Sequence, residues 1–164
     1  MKRILTIICT MFLVISASAQ TKKVIVAYFS ASGITEGVAK ELAKEKSAEL
    51  YVIAPEKTYT SEDLDYRSMQ SRSSVEMMNK NSRPALKEKK DLSKYDEIYI
   101  GYPIWWNVAP RIINTFIEQA NLKGKTVYPF ATSGSSGIEN SVKELKATYP
   151  DVKWQEGKLM KKAR

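Results

Sequence analysis

Two hydrophobic rhythms alternate along this chain. "KKVIVAYFS" at 22–30 is a continuous β-branched and aromatic run, which predicts a buried strand over about 23–29. "TEGVAKELAKEKSAE" follows, with Val38, Ala39, Leu42 and Ala43 on one face at helical spacing. "LYVIAP" predicts a second strand, ended by Pro55. Residues 56–94 are polar and irregular, with a helix expected near 61–79. "DEIYIG" then predicts a third strand, and "APRIINTFIEQA" a helix with Pro110 near its first turn. "KTVYPFATSG" predicts a fourth strand that runs into a Gly/Ser loop. "GIENSVKELKATYP" predicts a helix and "DVKW" a short last strand. Strands alternating with helices imply right-handed βαβ units and a parallel sheet covered on both faces.

The N-terminus does not fit this alternation. "MKRILTIICTMFLVISASAQ" begins basic at Lys2 and Arg3, continues apolar from Ile4 to Ile15, and ends in Ala17-Ser18-Ala19. That layout predicts a secretory signal over 1–19, too short for a membrane span, and an exported, periplasmic mature chain. Residues 20–164 then form one domain of ordinary size, with no internal repeat or linker.

Composition narrows the chemistry. Cys9 is the only cysteine and lies in the expected signal, and the chain has no histidine. Thiol nucleophiles, Ser-His catalysis and the commonest metal ligands are therefore excluded, and no metal site is expected. Net charge is +8, or +6 once Lys2 and Arg3 are set aside. The lysines are interspersed with glutamates, as in "KELAKEKSAE", which reads as solvated faces and not as a nucleic-acid patch. The basic tail "KLMKKAR" is suited to an anionic surface.

Three loops of unusual composition leave predicted strand ends: "SASGIT", "YPIWWNV" and "TSGSSGI". In open parallel sheets ligands bind beyond the C-terminal strand ends. The first loop holds three hydroxyls and a glycine but no Lys or Arg. A helix N-terminus offers unpaired amides and partial positive charge, so it can hold a phosphate without a cationic side chain. Gly33 permits close approach or a positive φ, and Ser30, Ser32 and Thr35 offer donors. An ordinary helix cap uses the same residue types. "GKT" at 124–126 is not a P-loop, because Gln119 stands where the first glycine belongs.

Ser30-Ala31-Ser32-Gly33-Ile34-Thr35 matches [Ser/Thr]-x-[Ser/Thr]-Gly-x-Thr, and on that motif the chain resembles the flavodoxin family. "GYPIWWNVAPRIINTFIE" is similar to the loop and helix after the third strand in a bacterial subgroup of that family. The resemblance implies a flavodoxin-like three-layer αβα sandwich, with a parallel five-stranded sheet of order 2-1-3-4-5. It implies FMN as cofactor, with its phosphate at residues 30–35. Its flat ring would lie against Tyr102, Pro103, Ile104, Trp105, Trp106 and Asn107, with Ser133, Gly134, Ser135 and Gly137 on the other side. One tryptophan of the pair is expected at the ring, the other packed elsewhere. The family normally adds a final helix, and "QEGKLMKKAR" is too short for it, so that helix is expected to be missing.

The expected function is FMN-binding electron transfer, with a redox partner protein or small-molecule acceptor and no catalytic side chain. An NAD(P)H-dependent quinone or flavin reductase on the same fold, or a flavin-free binding module, are the alternatives.

Overall fold

The computed structural model describes residues 22–161. The expected signal lies outside the described residues. The elements are β1 (Val24–Tyr28), α1 (Ile34–Glu45), β2 (Glu49–Val52), α2 (Arg72–Met78), β3 (Glu97–Pro103), α3 (Arg111–Gln119), β4 (Thr126–Thr132), α4 (Glu139–Thr148), β5 (Lys153–Trp154) and β6 (Lys158–Leu159). Every strand pair is parallel, and the order is 2-1-3-4-5, as the resemblance implied.

Two elements differ from expectation. The helix expected near 61–79 is confined to Arg72–Met78, because Thr60–Gln70 is a run of turns held by Asp63 and Asp65 side chains. The edge position of the sheet is filled in two pieces. β5 pairs with β4 at Thr126 and Val127, and β6 pairs further along at Phe130 and Ala131. No helix follows α4 among the described residues.

Alternation along β1 sorts its side chains between two cores. Ile25 and Ala27 join a cluster with Ile98, Ile100, Ile112, Phe116 and Leu145, under α3 and α4. Val26 and Tyr28 face the other way, onto Val38, Ala39 and Leu42 of α1 and onto Phe130. Met160, just past β6, packs on this second cluster. Over the same face Tyr99 and Tyr128 stack with centroids 4.9 Å apart.

Gly101 is where β3 makes room for this second core. A Cβ there would stand 2.1 Å from Cζ of Phe130, whose ring is buried. Gly101→Ala is expected to destabilise the protein by roughly 1–3 kcal/mol through overpacking. Urea unfolding checks this, and Phe130→Leu should restore part of the loss.

The register sets the site. Tyr28 lies beside Gly101, and Pro103 beside Thr132, so β1, β3 and β4 end on one edge of the sheet. Strand order reverses between β1 and β3, and the crevice at that reversal is where such sheets take ligands.

Candidate functional site

A cleft of about 490 Å³ opens at that edge. Ala31 and Ser32 border it from the loop after β1, residues 103–107 from the loop after β3, and residues 133–136 from the loop after β4. The three loops singled out in the sequence thus meet at one place.

The first loop ends at Gly33, the N-cap of α1, with φ +82° and no side-chain cap. Ser30 Oγ accepts the Gly33 N–H at 3.0 Å, which folds the loop back on itself. The helical ladder starts with Gly37 N–H to the Gly33 carbonyl, 3.1 Å. The amides of Ile34, Thr35 and Glu36 therefore precede the ladder, as at any helix start. The Thr35 hydroxyl is buried and bonded to Thr132 Oγ1 at 2.7 Å. Thr35 ties the first loop to the third, and Ser32 is the hydroxyl left at the cleft.

The second loop separates its aromatic residues. Tyr102 points away from the cleft, because it is on the inward face of β3. It is fully buried, and its hydroxyl, pushed up to about 12 by burial, is hydrogen-bonded to Ser141 Oγ at 2.8 Å. The expected Tyr102 wall is therefore not part of the cleft lining. Trp105 is half-buried and meets Phe29 and Tyr59 edge-on, at 5.6 and 5.5 Å. Trp106 is exposed and lines the cleft. The two are divided by a two-residue hairpin. Trp105 N–H donates to Val108 O and Val108 N–H to Trp105 O, both at 3.0 Å. Trp106 and Asn107 between them have φ of +46° and +64°, the signature of a type I′ turn. Asn140 Nδ2 donates to the Asn107 carbonyl at 3.1 Å and fixes this turn to α4.

The third loop is organised by Ser133, whose Oγ accepts the N–H of Ser135 and of Ser136 at 3.2 and 2.9 Å. Gly134 and Ser135 border the cleft, as does Ser136. Gly137 lies outside the lining, where a Cβ would meet the Glu139 carboxylate at 2.1 Å. Ile34 lies outside it too, half-exposed in a neighbouring hollow.

A fourth wall was not anticipated. Leu64, Tyr66 and Ser73 border the cleft from the segment between β2 and α2. An anchoring cluster sets this segment against the second loop. Tyr59 donates to Glu76 Oε2 at 2.5 Å, and Arg72 Nε donates to Glu76 Oε1 at 2.7 Å. The Arg72 guanidinium stands 4.0 Å over the Tyr59 ring. Burial, followed by the bond to Glu76, raises the Tyr59 hydroxyl well above its ordinary value, so it stays a donor. Tyr59 in turn touches Trp105. The alternation of Tyr59, Arg72 and Glu76 in a polar stretch was the available signal.

Among the described residues that border the cleft, Tyr66 alone has an ionisable side chain. Among the described residues no group of three or more His, Cys, Asp or Glu side chains is placed to hold a metal.

A doubly wound parallel sheet whose crevice joins a helix N-terminus to an aromatic loop defines a class of nucleotide- and flavin-binding α/β proteins. The chain belongs to the flavodoxin family, whose sequence model matches residues 23–164. It is similar to the crystal structure of a candidate flavoprotein from Bacteroides eggerthii DSM 20697. The identity is 57%, the TM-score 0.83, and the match covers 85% of this chain and 88% of that one. A candidate flavoprotein from Bacteroides uniformis ATCC 8492 is 54% identical, with a TM-score of 0.85 over 88% of this chain and 94% of that one. A flavoprotein from Lactobacillus acidophilus NCFM, crystallised in complex with FMN, shares the fold at 22% identity. Its TM-score is 0.69 over 84% of this chain and 93% of that one. Comparison with curated proteins gave no match.

The donor set fits FMN. Three amides ahead of the helical ladder and the Ser32 hydroxyl suit a phosphate. At Gly33 a Cβ would meet nothing within 4 Å, so the loop has open space in front of it. Trp106 supplies a flat aromatic surface, and the 103–107 and 133–136 backbones supply polar groups for a ring edge.

Proposed function

We propose that this chain is an FMN-binding electron-transfer protein. The observation that carries the proposal is the facing of two features across one crevice: the uncapped start of α1 at Ser32-Gly33, and the Trp106 turn. Their separation by sheet topology matches a ligand with an anionic end and a flat aromatic end. The family membership and the FMN bound by the Lactobacillus acidophilus relative support the same ligand.

Bound FMN supplies reversible one- and two-electron chemistry. The chain's residues hold and shield it. The α1 amides and Ser32 bind the phosphate, and Trp106 covers ring surface. Trp105, locked by Phe29 and Tyr59, keeps the turn in place. With the flavin supplying the redox chemistry, the carrier role asks no acid or base of the side chains that border the cleft.

We extend the proposal to location. Residues 1–19 direct export, and the mature chain works in the periplasm with an acidic partner that complements its positive charge.

The test is reconstitution. The purified protein mixed with FMN is expected to bind one equivalent and to shift and sharpen the flavin absorbance bands. Reduced holoprotein is expected to pass electrons to a haem or iron–sulfur protein, with no steady consumption of NADH or NADPH when a quinone is added. Rapid NADPH consumption with quinone would move the assignment to a reductase, and an unchanged flavin spectrum would move it to a flavin-free module. Mass measurement of the secreted chain checks cleavage near Ala19.

A further inference from the structure

The phosphate loop itself carries no cation, yet the sheet edge brings one to it. After β5 the chain breaks at Gln155–Gly157 and re-enters the sheet as β6, further along β4. Met160 N–H then donates to the Ala131 carbonyl at 2.8 Å. This pairing carries the basic tail up to the same sheet edge where β1, β3 and β4 deliver their loops. Lys161, the next residue, is exposed and borders a hollow of about 310 Å³. Ser32, Ile34, Thr132 and Ser133 border the same hollow. Ser32, Pro103, Ile104, Trp105, Ser133 and Gly134 also border the main cleft, so the two spaces adjoin at the first loop.

We propose that Lys161 is a phosphate-binding residue, an ammonium supplied from the tail to the amides and hydroxyl of the first loop. The proposal deepens the FMN reading and depends on it. Three observations carry it. The first is position. Lys161 borders one hollow with Ser32 and Ile34, at the start of α1 where the phosphate end of the ligand belongs. The second is anchorage. Met160 is bonded to β4 and packed on the α1-side core, so the residue after it is delivered from a fixed point. The third is the different placement of the two tail lysines among the described residues, Lys158 and Lys161. Lys158 borders a separate groove with Tyr99, Tyr128 and Glu156 on the sheet face, and that groove shares no residue with the first loop. Two lysines three apart in sequence are thus sent to different places by a two-residue strand.

The chemistry is charge-assisted hydrogen bonding between an ammonium and a phosphate monoester. An exposed pair gives a modest effect that salt weakens. The consequence is discrimination: Lys161 favours FMN over riboflavin, which has the same ring and no phosphate.

The experiment measures dissociation constants for FMN and riboflavin with the full mature chain and its Lys161→Gln, Lys161→Arg and Lys158→Gln variants. Each is titrated at low and at high salt. Lys161→Gln is expected to weaken FMN about fivefold at low salt, with riboflavin unchanged and a smaller salt dependence. Lys161→Arg should keep most of the affinity, and Lys158→Gln should behave like the parent. Parental FMN affinity in Lys161→Gln overturns the proposal, as does an equal loss for both flavins. An equal effect of Lys158→Gln also overturns it, in favour of the general positive field. A parent chain that binds no FMN overturns the proposed function itself, and this inference with it.

Discussion

Gly33→Val is expected to weaken FMN binding by two orders of magnitude or more while leaving the fold in place. Two effects combine. Gly33 has φ +82°, and a left-handed backbone costs a non-glycine residue roughly 1–2 kcal/mol, more when it is β-branched. The Gly33 N–H is also what Ser30 holds, so a valine that abandons positive φ breaks the turn that aims the α1 amides. No steric clash inside the protein is involved, because a Cβ at this position meets nothing within 4 Å. The added atoms therefore stand in the space before the helix, where the phosphate is proposed to lie. Riboflavin separates the two ends of the site. It should bind the variant about as well as the parent, since the Trp106 turn is untouched. Fluorescence titration of both flavins, with far-ultraviolet circular dichroism as a check on folding, gives the result. Unchanged FMN affinity in Gly33→Val would make the first loop an ordinary helix cap.

How far the sequence disclosed this site depends on what kind of interaction sets each part. Strand and helix order was legible because β1 and β3 are buried on both faces and read as continuous apolar runs. The first loop was legible because backbone geometry demands a glycine where φ is positive, and the demand is local. Tyr102 was misplaced because a strand continues two residues beyond "DEIYIG". In β3, which ends at Pro103, position 102 falls on the same face as Ile98 and Ile100, under α3 and α4, and its neighbours Gly101 and Pro103 fall on the other. One further residue of strand decided between core and cleft. The tie made by the Thr35 hydroxyl was illegible for a different reason. Its partner Thr132 is far along the chain, and only the parallel alignment of β1, β3 and β4 brings the hydroxyls together. The fourth wall was illegible because its anchor is tertiary. Glu76 has to be satisfied by Tyr59 and Arg72 before Leu64 and Tyr66 have a fixed place. Likewise "KLMKKAR" reads as a tail suited to an anionic surface, and only the pairing of Lys158 and Leu159 with β4 brings Met160 and Lys161 beside the first loop.

Trp106→Asn is expected to do two opposite things: raise the stability of the flavin-free protein and lower its affinity for FMN. Two-residue type I′ turns favour Asn-Gly and similar pairs, because both central residues need positive φ. Trp106 at +46° satisfies that need poorly, at a cost on the order of 1 kcal/mol. Asparagine removes the cost, so the apo midpoint of thermal unfolding should rise by roughly 3 °C. Strain kept at an exposed aromatic residue is expected where the side chain serves a ligand instead of the fold. Loss of that aromatic surface should weaken FMN by roughly 1–3 kcal/mol and restore much of the flavin emission that an electron-rich ring quenches. Trp105→Ala reverses the pattern. Its ring packs on Phe29 and Tyr59, so its removal should cost roughly 3 kcal/mol of stability and change flavin emission less. The pair of variants therefore assigns the two adjacent tryptophans by the sign of their effects. If Trp106→Asn leaves FMN affinity and quenching at parental values, Trp106 does not cover the ring. Tyr66, on the wall formed by the segment before α2, then becomes the aromatic residue to test.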